Sequence, residues 1–207
     1  MKLYTFDPAP NPQRLQLFIN YKGIDIDTEQ VDMANQAQLS DEFREVNPLC
    51  TVPALVTDEG ALITEVVAAC SYLEALYPER PLMGSTALEK AQVLGEMHKL
   101  FNTAFMGIAE AFRNSTPGFK GRALPGPLDV EQIPALAERG QQRLAFAWDA
   151  LEKALAERDW LVGDKLTQAD IDLFVCQGFS GWVKLTPGDE HPNLLAHAGR
   201  VKNALGI

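Results

Sequence analysis

In the stretch TVPALVTDEGALITEVV, Thr51 to Val67, Pro53 and Glu65 are the residues whose types and spacing could do chemistry. Pro53 opens an apolar run. Lacking an N–H, a proline belongs at the first residue or the edge of a strand, and an X-Pro bond also occurs cis, which turns the preceding residue's backbone groups outward. Val52 would then offer its own N–H and C=O to an extended peptide by strand-like pairing. Thirteen residues after Val52, Glu65 opens a helical pattern. The helix dipole alone favours a carboxylate there by ~0.3–1 kcal/mol. The same helix end also offers N–H groups suited to a ligand carboxylate, while Glu65 suits an ammonium. Together they match an amino-acid head group.

The elements that must position these residues are legible around them. KLYTF reads as a strand, QRLQLFINYKG as a helix stopped by Gly23, and IDIDTEQVDM as a half-buried alternating strand. SDEFREVNP is a short helix opened by Ser40. PALVT and ALITE form a hairpin over Asp58-Glu59-Gly60, and EVVAACSYLEALYP is a helix ending at Pro78. The order is β-α-β-α-β-β-α. Beyond PERPLMGST the pattern becomes helical only, with a long apolar stripe from Ala87 to Arg113, a Pro/Gly-rich connection NSTPGFKGRALPGPLD, and a second long helix after Pro134. LTQADIDLFVCQGF and HPNLLAHAGRVKNALG are two further helices. In the first of these, Thr167 and Asp170 form a capping box, and Leu166 and Ile171 a hydrophobic staple. The domain reading is 1–78 as an α/β domain, 79–86 as a linker and 87–207 as an all-α domain.

Composition narrows the function classes. The 207 residues are 46% apolar and 22% charged, an ordinary globular balance with length for a sizeable core. A net charge of −10 argues against nucleic acid and anionic membrane surfaces. The charge is uneven: residues 1–78 carry four basic and twelve acidic side chains, residues 79–207 fourteen and sixteen. No apolar run suits a membrane span or signal peptide. The three cysteines, Cys50, Cys70 and Cys176, are scattered without metal spacing, so no metal is expected and a reduced cytoplasmic setting fits.

The β-α-β-α-β-β-α half with NPLCTVPAL, the Glu65 helix and the helical half with LVGDKLTQADIDLF together resemble the glutathione S-transferase superfamily over essentially the whole chain. The resemblance implies a thioredoxin-like N-terminal domain, an α-helical bundle C-terminal domain, a homodimer, and glutathione as co-substrate without a further cofactor. It assigns Val52, beside cis Pro53, to the cysteinyl main chain and Glu65 to the γ-glutamyl amine. It also assigns the Val66 N–H, where the family usually has Ser or Thr, to the γ-glutamyl carboxylate, and Gln38 to the glycyl end.

The family's Tyr, Ser or Cys is missing from the first strand-to-helix loop, FDPAPNPQRL. By resemblance to the nu-like bacterial class, Asn11 is the catalytic candidate, its amide facing the sulfur, although that class's companion Thr is Ala9 here. A thiol of pKa ~8.5 is only ~3% thiolate at pH 7. Lowering it two units takes ~2.7 kcal/mol, and a well-aligned N–H donor to an anion supplies about 1.5–3 kcal/mol. The N–H groups of Gln13 and Arg14 are expected to add to this. Cys50 reads as a buried small residue, since nothing electropositive stands near it in the sequence. Phe101, Phe105 and Met106 are the expected lining for an apolar second substrate, with Lys120 and Arg122 as positive charge near an anionic one. The expected function is conjugation of the glutathione thiolate to a small electrophile, as in detoxification. The alternatives are glutathione-dependent disulfide reduction, or a non-catalytic protein of this fold that binds a partner.

Overall fold

Burial alternates along Lys2–Thr5, with Leu3 and Thr5 inward, and this strand, β1, is one of the two inner strands of a four-stranded mixed sheet ordered β2-β1-β3-β4. The others are β2 (Asp27–Gln30), β3 (Ala54–Val56) and β4 (Leu62–Thr64). β1 pairs in parallel with β2 and antiparallel with β3, which pairs antiparallel with β4. This is the thioredoxin-like arrangement. The β3–β4 turn at Asp58-Glu59-Gly60 is closed by the Thr57 N–H donating to the Ala61 carbonyl at 2.9 Å, with Gly60 at φ 81°. β2 departs from the half-buried expectation: all four residues are exposed, because it is an edge strand.

Helix α1 (Pro10–Lys22) ends at Gly23, whose positive φ of 68° turns the chain so that the Ile24 N–H reaches the Ile19 carbonyl at 3.1 Å. α2 (Asp41–Val46) is capped by the Ser40 hydroxyl, which accepts from the Phe43 N–H at 3.2 Å. α3 (Val66–Leu76) packs on α1, and their inner faces bury Leu15, Phe18, Cys70 and Leu73 with Leu3 and Leu55. Each such side chain contributes about 1.5–3 kcal/mol.

The remaining helices are α4 (Ala87–Leu100), α5 (Met106–Ser115), α6 (Pro134–Leu155), α7 (Gln168–Ser180) and α8 (Pro192–Leu205). α4 runs into α5 through a π-helical turn, Phe101–Phe105, so the long stripe read from the sequence is one interrupted helix. α5 and α6 touch backbone to backbone: a Cβ on Gly140 would lie 2.5 Å from the Gly107 carbonyl oxygen. α4 and α7 both begin in capping boxes, Thr86 with Glu89 and Thr167 with Asp170. No helix is long and apolar enough to cross a membrane.

The computed structural model describes the whole chain, Met1–Ile207. It groups into two units, Met1–Arg80 with Leu124–Asp129, and Pro81–Ala123 with Val130–Ile207. The inclusion of Leu124–Asp129 in the first unit has no counterpart in the sequence reading. Gly126 lies against the Leu49 carbonyl, where an added Cβ would stand at 3.1 Å.

Candidate functional site

Strand directions gather the candidate residues at one end of the sheet. The row Tyr4–Ala54–Thr64 is the last paired set of β1, β3 and β4, so Thr5, Pro53 and Glu65 come next in register. From this end α1 follows β1, a 3-10 turn (Ala37–Leu39) follows β2, Val52-Pro53 leads into β3, and α3 follows β4. Two helix N-termini, a proline-led strand and Gln38 thus face one end of the first unit.

The Val52-Pro53 peptide bond is cis. Pairing starts at Ala54, so Val52 keeps its N–H and C=O outside the sheet ladder. The loop before it hangs on a residue that the sequence reading passed over. Asn47, fully buried, donates through Nδ2 to the Thr51 carbonyl at 2.8 Å and accepts the Leu49 N–H at 3.0 Å. Cys50 is buried with its thiol toward the Pro48 carbonyl, as expected of a small core residue.

Glu65 occupies the N-cap position of α3 at φ 68°, ψ 130°, a conformation that costs a non-glycine residue about 1–3 kcal/mol. Its carboxylate is exposed, caps nothing and pairs with no cation. No side chain therefore closes the α3 N-terminus. Val66 turns its side chain into the core with Ala69, Cys70 and Leu73, so only its main-chain N–H is left to meet a ligand. Gln38 is 7% exposed, and its Oε1 is enclosed without a hydrogen-bond partner. A buried amide oxygen without a partner is uncommon and costs about 1–3 kcal/mol.

Asn11 lies not in the loop but in the first turn of α1. The structure corrects the expected contribution of its neighbours. The Gln13 N–H donates to the Ala9 carbonyl at 3.0 Å, and that of Arg14 continues the helical ladder. Pro10 and Pro12 have no N–H to give. Asn11 is thus the residue of this turn whose N–H stays outside the ladder, beside its own amide. Ala9 supplies no side-chain cap and the turn holds no acid, so this positive helix end is also open. The sequence reading missed the contact beneath it: buried Arg14 donates from Nη1 to Asn11 Oδ1 at 2.9 Å.

In the second unit, Phe105 is buried, while Phe101 and Met106 stay partly exposed. The aromatic rings that gather are others: Phe112 meets Phe119 and Trp182 at 5.0 Å and Phe179 at 6.2 Å. Arg113 stacks on Phe119 at 4.4 Å and holds the Ala123 and Arg122 carbonyls. Burial, and then the Arg122 charge, hold its guanidinium below the usual arginine range. Lys120 is exposed. No group of three or more His, Cys, Asp or Glu stands together as a metal ion would need.

Comparison with known proteins agrees with the fold. The model of the glutathione S-transferase N-terminal domain matches residues 9–76, and that of the C-terminal domain residues 97–203. The glutathione S-transferase GstA of Escherichia coli O157:H7 is 27% identical over 194 residues, covering 92% of this chain and 88% of GstA. A glutathione S-transferase domain-containing protein of Marinobacter aquaeolei VT8 superposes with a TM-score of 0.88 at 27% identity, over 98% of this chain and 97% of its own. Gtt2 of Saccharomyces cerevisiae does so with 0.86 at 26% identity, over 100% and 99%. The fold and the two matched domain models define the class of protein. The chain belongs to the glutathione S-transferase family, whose co-substrate is glutathione.

Proposed function

We propose that this protein is a glutathione transferase that directs the glutathione thiolate at a small apolar electrophile. The observation that carries the reading is the exposed, unpaired Glu65 at an unfavourable φ on an uncapped α3, next in register to cis Pro53. A carboxylate held there at a conformational cost, without a partner in its own chain, fits a ligand ammonium. In this reading the γ-glutamyl amine pairs with Glu65 and its carboxylate takes the Val66 N–H. The cysteinyl main chain pairs with Val52 beside Pro53, and Gln38 meets the glycyl end. Asn11 donates from its amide, and from its N–H, to the sulfur.

The thiolate forms as glutathione gives up its thiol proton to solvent. The sulfur lone pair then attacks the electrophilic carbon, and the leaving group departs with its electron pair. Phe101 and Met106, which keep some exposure, are proposed contacts for the electrophile; Phe105, buried, supports them from the core. The homodimer and the role in detoxification are carried over from the family. Three free, buried cysteines support a reducing cytoplasmic setting. The proposed domain boundaries stay at 1–78, 79–86 and 87–207.

Calorimetry with glutathione on wild type and Glu65→Ala tests the cradle, and turnover of a chlorodinitrobenzene by wild type and Asn11→Ala tests the chemistry. Saturable binding lost in Glu65→Ala, with turnover reduced in Asn11→Ala, is the expected result. Wild type that releases no heat with glutathione would overturn the reading.

A further inference from the structure

An asparagine has an ambiguity that a tyrosine or serine hydroxyl lacks. A hydroxyl rotates its hydrogen toward an anion, but an amide presents either two N–H donors or a carbonyl oxygen. With the oxygen forward, Asn11 would repel a thiolate. Something must fix the amide's direction, and the structure contains that device one helical turn further on.

Arg14 is 4% exposed, and its Nη1 lies 2.9 Å from Asn11 Oδ1. A guanidinium carries donors and no acceptor, so only the oxygen of the amide can make this contact. Inverting the amide would set N–H against N–H beside a buried positive charge. The bond is charge-assisted, roughly twice as strong as a neutral one. It also draws electron density toward Oδ1, which makes the Nδ2 hydrogens better donors.

We propose that Arg14 is the positioning residue of this site: it holds Asn11 Oδ1 so that Nδ2 is presented to, and polarised for, the glutathione sulfur. The inference rests on the glutathione reading above and adds to it a group that acts only through Asn11. Its consequence is a lowered thiol pKa for bound glutathione rather than tighter binding.

The test is a pH titration of thiolate ultraviolet absorbance at saturating glutathione, with affinity from calorimetry alongside. The proteins compared are wild type, Asn11→Ala, Arg14→Met, Arg14→Lys and the double variant Asn11→Ala/Arg14→Met. Each single variant is expected to raise the bound thiol pKa by about one unit, a tenfold loss of thiolate below the pKa, with affinity within a few-fold. Arg14→Lys should follow Arg14→Met, because an ammonium keeps the charge but lacks the planar fork. The double variant should titrate like Asn11→Ala alone.

A wild-type titration in Arg14→Lys would mean that charge alone matters and would overturn the proposal. Additive shifts in the double variant would do the same, because Arg14 would then act on the sulfur directly. If Arg14→Met does not fold, Arg14→Lys decides by the same criterion. No glutathione heat in wild type would overturn the underlying reading, whereas binding with an Asn11-dependent but Arg14-independent pKa would overturn this inference alone.

Discussion

The helix starts at the candidate site, α1 and α3 of the first unit, are built to the opposite end from α4, α7 and α8 of the second. In the second unit, α4 and α7 are closed by their own residues. The Thr86 hydroxyl accepts the Glu89 N–H at 3.1 Å, and the Glu89 carboxylate returns to the Ser85 and Thr86 N–H groups. Asp170 accepts from the Thr167 N–H and hydroxyl and from the Leu161 N–H, and His197 Nε2 stands 2.9 Å from it, both side chains wholly buried. Even α8 is closed, by Glu152 accepting the Asn193 and Leu194 N–H groups. In the first unit, α1 starts at Ala9 and two prolines, and α3 at an outward-facing Glu65. A cap makes a helix end stable and chemically silent; an end without one keeps its positive potential for a ligand.

The largest effect should come from opening a closed end. Asp170→Ala strips a buried acceptor from several donors at once and is expected to cost ~3–5 kcal/mol in urea unfolding. A cost below about 1 kcal/mol would place the network at the level of an ordinary cap. Next is Glu65→Gly, which relieves the φ of 68° and removes the carboxylate. Stability should rise by about 1 kcal/mol while glutathione affinity falls by about tenfold or more. A variant that is both less stable and equally tight would show that Glu65 serves the fold.

Thr86→Ala should cost about 1 kcal/mol. The same box carries a pH signature. The Ser85 and then the Thr86 N–H hold the Glu89 carboxyl below its ordinary 4.5. Its folded pKa is thus the lower one, so its contribution is present above the unfolded value and fades as pH falls through the folded value. Acid unfolding of Glu89→Gln should therefore be flatter than wild type below the usual carboxylate range. The smallest effect is expected from closing an open end. Ala9→Asp places an acceptor over the Asn11 N–H; it should stabilise by about 0.5–1 kcal/mol and raise the thiol pKa of bound glutathione. An unchanged thiol pKa would mean that the α1 terminus plays no part at the sulfur.

Where the determinants are local, the sequence was readable. Gly23, the Asp58-Glu59-Gly60 turn, Ser40 and the Thr167–Asp170 box lie within a few residues of what they organise, and each element formed as its pattern required. The Thr86–Glu89 box is equally local, but its N-cap lies at the end of the 79–86 linker reading, where no apolar periodicity marks a helix start. The partnership of Asp170 with His197 spans 27 residues and leaves no trace in spacing, so the sequence shows Asp170 only as a capping residue. The side-chain contact of Arg14 with Asn11 escapes the sequence for a different reason. With Asn11 read as a loop residue, the i, i+3 neighbourhood of a helix was not applied to it. The buried Asn47 and the orphan oxygen of Gln38 depend on tertiary enclosure, which periodicity cannot express.

The grouping of Leu124–Asp129 with the first unit has a consequence for heredity as well as for folding. The chain crosses between units three times, not once. A recombination event at residue 80 would inherit only part of the first unit and leave behind the segment that lies on the Leu49 carbonyl. Its flanks are fastened within the helical unit, by Arg113 to the Arg122 and Ala123 carbonyls and by Gln132 to those of Arg113 and Thr116. Halves exchanged between relatives would therefore have to carry matching lengths at 124–129, and this short segment sets which partners in such an exchange are compatible.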